Sequence, residues 1–208
     1  SNTEGDNVAI GSYSMSLASN HNTHNVAVGY TSGFYTGYAS ASIGNVAIGS
    51  NSMRGTSASE GDYNTAIGYY TLRAVTTGEK NTVVGGNALT AITTGDNNVA
   101  VGFDANAGGT SGNNNLAVGF EALKAGGGGN GSFAIGYRAM YQYTGGYTHV
   151  AVGNNALQSM TSGSQQDNCC VGDGSGANGN DASGSGNRQN AFFGNSSGSR
   201  NTTGKINT

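Results

Sequence analysis

The stretch Asn98–Gly102 reads Asn-Val-Ala-Val-Gly, and this five-residue pattern recurs along almost the whole chain. Eleven copies approximate the formula Asn-x-Ala-(Ile/Val)-Gly, and they begin at residues 7, 25, 45, 64, 81, 98, 115, 132, 149, 168 and 190. The spacing is 17 residues in the middle of the chain and reaches 22 at its end. Such a period is the signature of a repeat protein, in which each repeat packs on its neighbours.

The composition excludes several classes of protein. The 208 residues include 38 Gly and no Pro, and only 9% of them are charged. Gly-rich polar chains are often disordered, but the regular period argues against disorder here. The net charge is −3 and the basic residues are scattered, so we expect no nucleic-acid partner. No stretch approaches 18 consecutive apolar residues, so we expect no insertion into a membrane.

Each repeat contains two short apolar runs separated by turns. The pentapeptide alternates and is rich in β-branched residues, which predicts a strand. A small residue followed by Leu or Met comes shortly afterwards, as in Ala88-Leu89 and Ala122-Leu123, and its short length favours a second strand over a helix. We therefore predict an all-β chain that forms a parallel β-solenoid or β-roll of about eleven coils, each of 17–22 residues. Coils about 4.8 Å apart would make a rod on the order of 50 Å long.

The predicted domain organisation follows the repeat. Residues 7–194 are expected to form the solenoid, with looser coils at 7–63 and 168–194. Residues 1–6 are expected to connect to an upstream region, and residues 195–208 to form a tail or linker.

Alternation along the strand assigns the pentapeptide positions to two faces. Positions two and four are large, and we predict that they fill the core of each coil: Val8, Ile10, Val26, Val28, Val46, Ile48, Ile67, Val99, Val101, Leu116, Val118, Phe133, Ile135, Val150 and Val152. Position three is small, and we predict that it faces another chain: Ala9, Ala27, Ala47, Ala66, Ala100, Ala117, Ala134, Ala151 and Cys170. A core this thin is marginal alone, so we expect the chain to form a parallel homotrimer.

The pentapeptides resemble the repeats of known fibrous proteins. The series NVAIG, NTAIG and NVAVG is similar to the head repeats of trimeric autotransporter adhesins, which form left-handed parallel β-rolls. The 17-residue spacing with its Ala-Leu pair resembles even more the collar and shaft repeats of phage tail fibres. The resemblance covers roughly residues 7–194 and implies a non-enzymatic fibre segment on a virion or outside a cell, joined to flanking fibre domains. Such a segment would present, or itself contact, a cell-surface receptor or glycan.

The polar residues are predicted to be mostly structural. Acidic residues that precede the pentapeptides, such as Asp62 and Asp96, are expected to accept hydrogen bonds from turn backbone, and the Asn column to form a ladder. Asp104, Glu121 and Arg138 are 17 residues apart and should stack, with Glu121 and Arg138 as an ion pair. An acid/base pair of Asp104 and Glu121 is the alternative, and it would fit a polysaccharide-degrading tailspike enzyme.

Aromatic residues are the candidate contacts to a ligand. Tyrosines cluster near polar Asn and Ser, where they suit the stacking of sugars, although packing along the rod is the competing interpretation. The candidate glycan or receptor contacts are Tyr30, Phe34, Tyr35, Tyr38, Tyr137, Tyr141, Tyr143 and Tyr147. An ice- or surface-binding solenoid would need a ladder of Thr, but Val, Leu and Phe interrupt the column of Thr65 and Thr82.

No cofactor or metal is predicted. His21 and His24 lack a third ligand, and the stretch Gly-Ala-Asn-Gly-Asn-Asp at 176–181 is a weak, single copy of a calcium-binding turn. Cys169 and Cys170 occupy positions two and three of the tenth pentapeptide. We predict that both are free thiols, with Cys169 in the coil core and Cys170 on the face of the alanines.

Overall fold

A computed structural model of the chain describes residues 5–16, 22–33, 42–55, 61–126, 129–145, 148–161, 167–178 and 189–201. In that part of the chain there are eleven β-strands of three residues, each at the centre of one pentapeptide. They are β1 (Val8–Ile10), β2 (Val26–Val28), β3 (Val46–Ile48), β4 (Thr65–Ile67), β5 (Thr82–Val84), β6 (Val99–Val101), β7 (Leu116–Val118), β8 (Phe133–Ile135), β9 (Val150–Val152), β10 (Cys169–Val171) and β11 (Ala191–Phe193). The described residues include no helix that is long and apolar enough to cross a bilayer.

The strands form one parallel sheet in chain order. Equivalent positions of the repeat lie side by side, so that Val99 pairs with Leu116 and Ala100 with Ala117. The same register holds where the spacing between pentapeptides is longer, as between Cys170 of β10 and Phe192 of β11. The prediction of an all-β parallel solenoid is therefore confirmed, and the variable length of the repeat is absorbed between the strands.

The Ala-Leu run does not form the predicted second strand. Asn87 and Leu89 adopt the left-handed conformation, with φ of 54° and 50°. The Asn87 N–H donates to the Tyr69 carbonyl at 2.9 Å in the preceding coil, and the Leu89 N–H donates to the Ala105 carbonyl at 2.9 Å in the following coil. The prediction of a strand was wrong because left-handed residues turn the chain around a narrow core while keeping its hydrogen bonds to both neighbouring coils.

The core of each coil lies between the strand and the Ala-Leu run. In the fifth and sixth coils, Leu89 and Ala100 are fully buried. Gly33 occupies the position of Leu in the second coil, and a Cβ built on it would lie 3.0 Å from the Cβ of Ala27. Position nine of the repeat therefore faces position three, and the small Ala makes room for the large Leu.

This packing reverses the predicted faces of the strand. The residues expected in the core point outward and are half-buried or exposed: Val8, Ile10, Val26, Val28, Val46, Ile48, Ile67, Val99, Val101, Leu116, Val118, Phe133, Ile135, Val150 and Val152. The residues expected to face another chain are buried inside their own coil: Ala27, Ala47, Ala66, Ala100, Ala117, Ala134, Ala151 and Cys170. Ala9 is exposed in the first of the described coils. The strand does alternate between two faces, as predicted. The Leu column of the turn fills the interior of each coil, however, so the branched residues at positions two and four have no space there and point outward.

The Asn column forms the predicted ladder. The Asn98 N–H donates to Oδ1 of Asn81 at 2.9 Å, and Nδ2 of Asn98 donates to the Gly112 carbonyl at 2.8 Å. His149 takes the place of Asn in one coil, where its Nδ1 accepts from the Asn168 N–H at 3.2 Å. These buried side chains satisfy backbone groups that would otherwise be unpaired at the corner of the coil.

Candidate binding surface

The outward side chains of β1–β11 form a strip that we call the apolar sheet face. Its members on neighbouring strands lie side by side because the sheet is parallel and in register. Several large members are exposed: Val8, Ile10, Ile48, Ile67, Val84, Val101, Phe133, Ile135 and Phe193. Contiguous exposed apolar surfaces are typical of interaction sites in soluble proteins.

A row of aromatic rings follows the strands, directly after the glycine of the pentapeptide. The Phe103 and Phe120 ring centroids are 5.8 Å apart with an angle of 14° between the rings, and those of Phe120 and Tyr137 are 5.5 Å apart at 9°. All three rings are exposed. The two phenylalanines were not among the predicted contacts, although their spacing of 17 residues from each other and from Tyr137 was visible in the sequence.

A charged network lies beside this row. Lys124 Nζ is 2.9 Å from Oδ2 of Asp104 and 2.6 Å from Oε1 of Glu121. The Arg138 Nε–H donates to Oε2 of Glu121 at 2.6 Å, which confirms the predicted ion pair. The structure thus brings Asp104 and Glu121 to the same ammonium group.

The network determines the ionisation of its carboxylate. The hydrogen bond from Lys124, followed by that from Arg138, lowers the pKa of Glu121 against the opposing effect of burial. The hydrogen bond to Glu121, and then the one to Asp104, raises the pKa of Lys124. A general acid in glycoside hydrolysis needs a raised pKa. Glu121 is therefore poorly suited to the acid half of an acid/base pair with Asp104.

An open cleft of about 510 Å³ lies on the turn segments next to the network. It is lined by Ala107, Gly108, Lys124, Ala125, Tyr141 and Gln142. We call it the turn-side cleft. The Arg138 guanidinium lies 5.0 Å from the centroid of the Tyr141 ring, and Lys124 Nζ lies 5.8 Å from it. These cation–π contacts fix the ring at one wall of the cleft.

The other predicted aromatic contacts divide into three groups. Tyr30 and Tyr137 are exposed. Tyr143 is 2% exposed and packs edge-to-face on His149 at 5.2 Å, so it fills the core and is not available to a ligand. The prediction for Tyr143 was wrong because its position in the repeat corresponds to the buried Ile92. Phe34, Tyr35, Tyr38 and Tyr147 lie outside the described residues.

The acidic turn residues have the predicted structural role. Asp62 Oδ1 accepts from the Ile43 N–H at 2.7 Å, and Asp96 Oδ1 accepts from the Glu79 N–H at 2.8 Å. Over the described ranges, no group of three or more His, Cys, Asp and Glu residues could hold a metal ion. His21 and the second half of the stretch at 176–181 fall outside those ranges.

The two cysteines lie on opposite faces, in the reverse of the predicted order. Cys170 is fully buried inside the coil, whereas Cys169 points outward and is half-buried. Burial raises the pKa of the Cys170 thiol to about 12, so it stays protonated and unreactive at neutral pH. Because Cys170 is enclosed by its own coil, the prediction that it faces another chain is wrong. Neither cysteine is in a disulfide within the chain.

Comparison of the chain with family models, with curated proteins and with solved structures found no match.

Proposed function

We propose that the chain is a rigid segment of a trimeric surface fibre, of the kind found in phage tail fibres and bacterial adhesins. It would act outside a cell or on a virion, where it presents or makes contacts to a cell-surface receptor or glycan. The observation that carries the proposal is the apolar sheet face, which runs along the whole stack of strands and which none of the described residues covers.

The stacking of the coils supports a mechanical role. Each strand is held to the next by parallel sheet pairing, the Asn ladder adds buried hydrogen bonds, and the left-handed turns add a third column. A solenoid held on several sides resists bending and keeps a binding tip at a fixed distance.

The apolar sheet face also supports self-association. A parallel homotrimer would cover this face, whereas the alanines that the sequence suggested are already used inside the coil. Three copies would present three equivalent exposed surfaces, so that weak single sites would combine into avid attachment.

Two measurements test the proposal. Light scattering under native and denaturing conditions should give a native mass of about three chains, and a monomeric mass would refute the trimer. Binding of the purified protein to an array of glycans should give signals that depend on the oligomeric state. Depolymerisation of a bacterial polysaccharide by the same sample would instead support the tailspike enzyme, for which the Asp104 and Glu121 pair provides little chemical support.

A further inference from the structure

We propose that the turn-side cleft is a binding site for a neutral saccharide. The inference rests on the adhesive function proposed above and assigns it to particular residues. The cleft is shallow and open to solvent, and its volume of about 510 Å³ leaves room for a sugar ring. None of its six lining residues belongs to a β-strand. A trimer built through the apolar sheet face would therefore leave the cleft open.

The floor and wall of the cleft suit a sugar ring. Ala107, Gly108 and Ala125 come from two consecutive coils and are the small lining residues of the cleft, which we call its floor. Tyr141 comes from the next coil, and we call its ring the wall of the cleft. A pyranose presents one face of C–H groups and a rim of hydroxyls, so it matches an apolar floor with an aromatic wall and polar groups around it.

The polar groups at the cleft have hydrogen-bonding capacity left over. An ammonium group has three donors, and Lys124 uses two of them on Asp104 and Glu121. In the part of the chain that the structure describes, the Gln142 amide and the Tyr141 hydroxyl form no side-chain hydrogen bond. One ammonium proton, one amide and one phenol thus remain for the hydroxyl groups of a ligand.

The charges around the cleft select against an acidic ligand. Lys124 and Arg138 are each paired with a carboxylate, so the two cations and the two anions of the network cancel. Lys124 is the one cation among the described residues that line the cleft, and it is already paired, so a sialic acid, a uronic acid or a phosphorylated sugar would bring an uncompensated negative charge toward Asp104 and Glu121. The structure therefore points to uncharged hexoses or N-acetylhexosamines.

The test is saturation-transfer NMR on the full chain with lactose, maltose, cellobiose, N,N′-diacetylchitobiose and, as an acidic sugar, sialyllactose. We expect transfer to at least one neutral disaccharide. Tyr141→Ala should weaken that binding by about tenfold, as the loss of an aromatic anchor commonly does. Ala107→Leu, which fills the floor and leaves every polar group in place, should abolish it. Tyr69→Ala, an exposed tyrosine on a distant coil, should leave it unchanged.

Several outcomes would overturn the site. They are transfer that survives both Tyr141→Ala and Ala107→Leu, transfer to sialyllactose alone, and no transfer to any of the sugars. Thermal unfolding of each variant shows that it is folded. If the unmodified chain binds a glycan array and Tyr141→Ala binds it equally well, the adhesive function stands and this site is refuted. If the array also stays blank while the native mass is trimeric, the chain is a spacer only.

Discussion

At the scale of single residues, the pentapeptide glycine and the paired charges of the network should tolerate substitution least. The pentapeptide glycine has a φ that L-residues rarely adopt, +138° at Gly68, and it lies against the carbonyl of the glycine in the next coil. A Cβ there would lie 2.5 Å from the Gly85 oxygen. The glycine column is thus explained by conformation and by close approach together.

Replacement of this glycine should be costly. Gly68→Ala is expected to lower the free energy of unfolding by about 2–4 kcal/mol, because it combines backbone strain with a clash against backbone that cannot move aside. Urea denaturation gives the value. Gly86→Ala is the control, since it meets only the edge of the exposed Phe103 ring, at 3.2 Å, and should cost less than about 1 kcal/mol. Equal losses in the two variants would contradict this account.

The carboxylate of Glu121 should make stability depend on pH. Its pKa is lower in the folded chain than the usual value of 4.5, so its contribution is fully present above that value and is lost as the pH falls through the lower, folded value. Glu121→Gln should therefore melt below the unmodified chain at pH 7, by an amount that shrinks on acidification toward pH 2. Melting temperatures across this range measure the difference, and a constant gap would show that charge pairing is not its cause.

At the scale of the element, the strand and the turn opposite it share the interior of the coil. Most coils set Ala on the strand against Leu or Met on the turn, but the last two described coils exchange the sizes: Cys170 faces Gly176, and Phe192 faces Gly198. This explains why the sequence predicted the strands and their register but not the faces. The alternation of large and small residues can be seen within one strand. Which of its two faces points inward depends on the side chain that the opposite turn places in the core. That side chain is a Leu in the left-handed conformation, which Leu rarely adopts, so the local sequence did not indicate it.

The shared volume predicts a compensating pair of substitutions. A Cβ on Gly176 would lie 2.8 Å from Sγ of Cys170, so Gly176→Leu should destabilise the chain by about 1–3 kcal/mol through overpacking. Cys170→Ala in the same chain restores the common pairing and should recover the part of the loss that the clash with Sγ causes, while the contact with Leu157 Cδ2 at 2.9 Å and the left-handed backbone remain. A double-mutant cycle measured by chemical denaturation gives the coupling energy, expected at about 1 kcal/mol or more. Additive effects would refute the packing of position nine against position three.

At the scale of the whole molecule, the repeat produces a stack with two different long surfaces. The apolar sheet face is continuous along the stack because every pentapeptide contributes to it, with Thr65 and Thr82 as polar members in β4 and β5. The turn side varies from coil to coil. In the described part of the chain, the charged network and the turn-side cleft occur together in the coils that begin at residues 98, 115 and 132. The apolar sheet face could be predicted from the pattern of the repeat once the inner face was known. The cleft could not, because it depends on which non-repeated side chains happen to be stacked.

The apolar sheet face should control the assembly of the chain into an oligomer. Val101→Asp combined with Ile135→Asp places two charges on the apolar sheet face, where both native side chains are more than a third exposed and neither fills the coil core. The single chain should stay folded, whereas an interface on this face would bury unpaired carboxylates and come apart. We expect the native mass, measured by light scattering, to fall from that of the oligomer to that of the monomer, with the circular dichroism of β-structure retained at low temperature. Thr110→Asp places a charge on an exposed turn and should keep the oligomer. A doubly substituted chain that keeps its full mass would show that the copies associate through another surface.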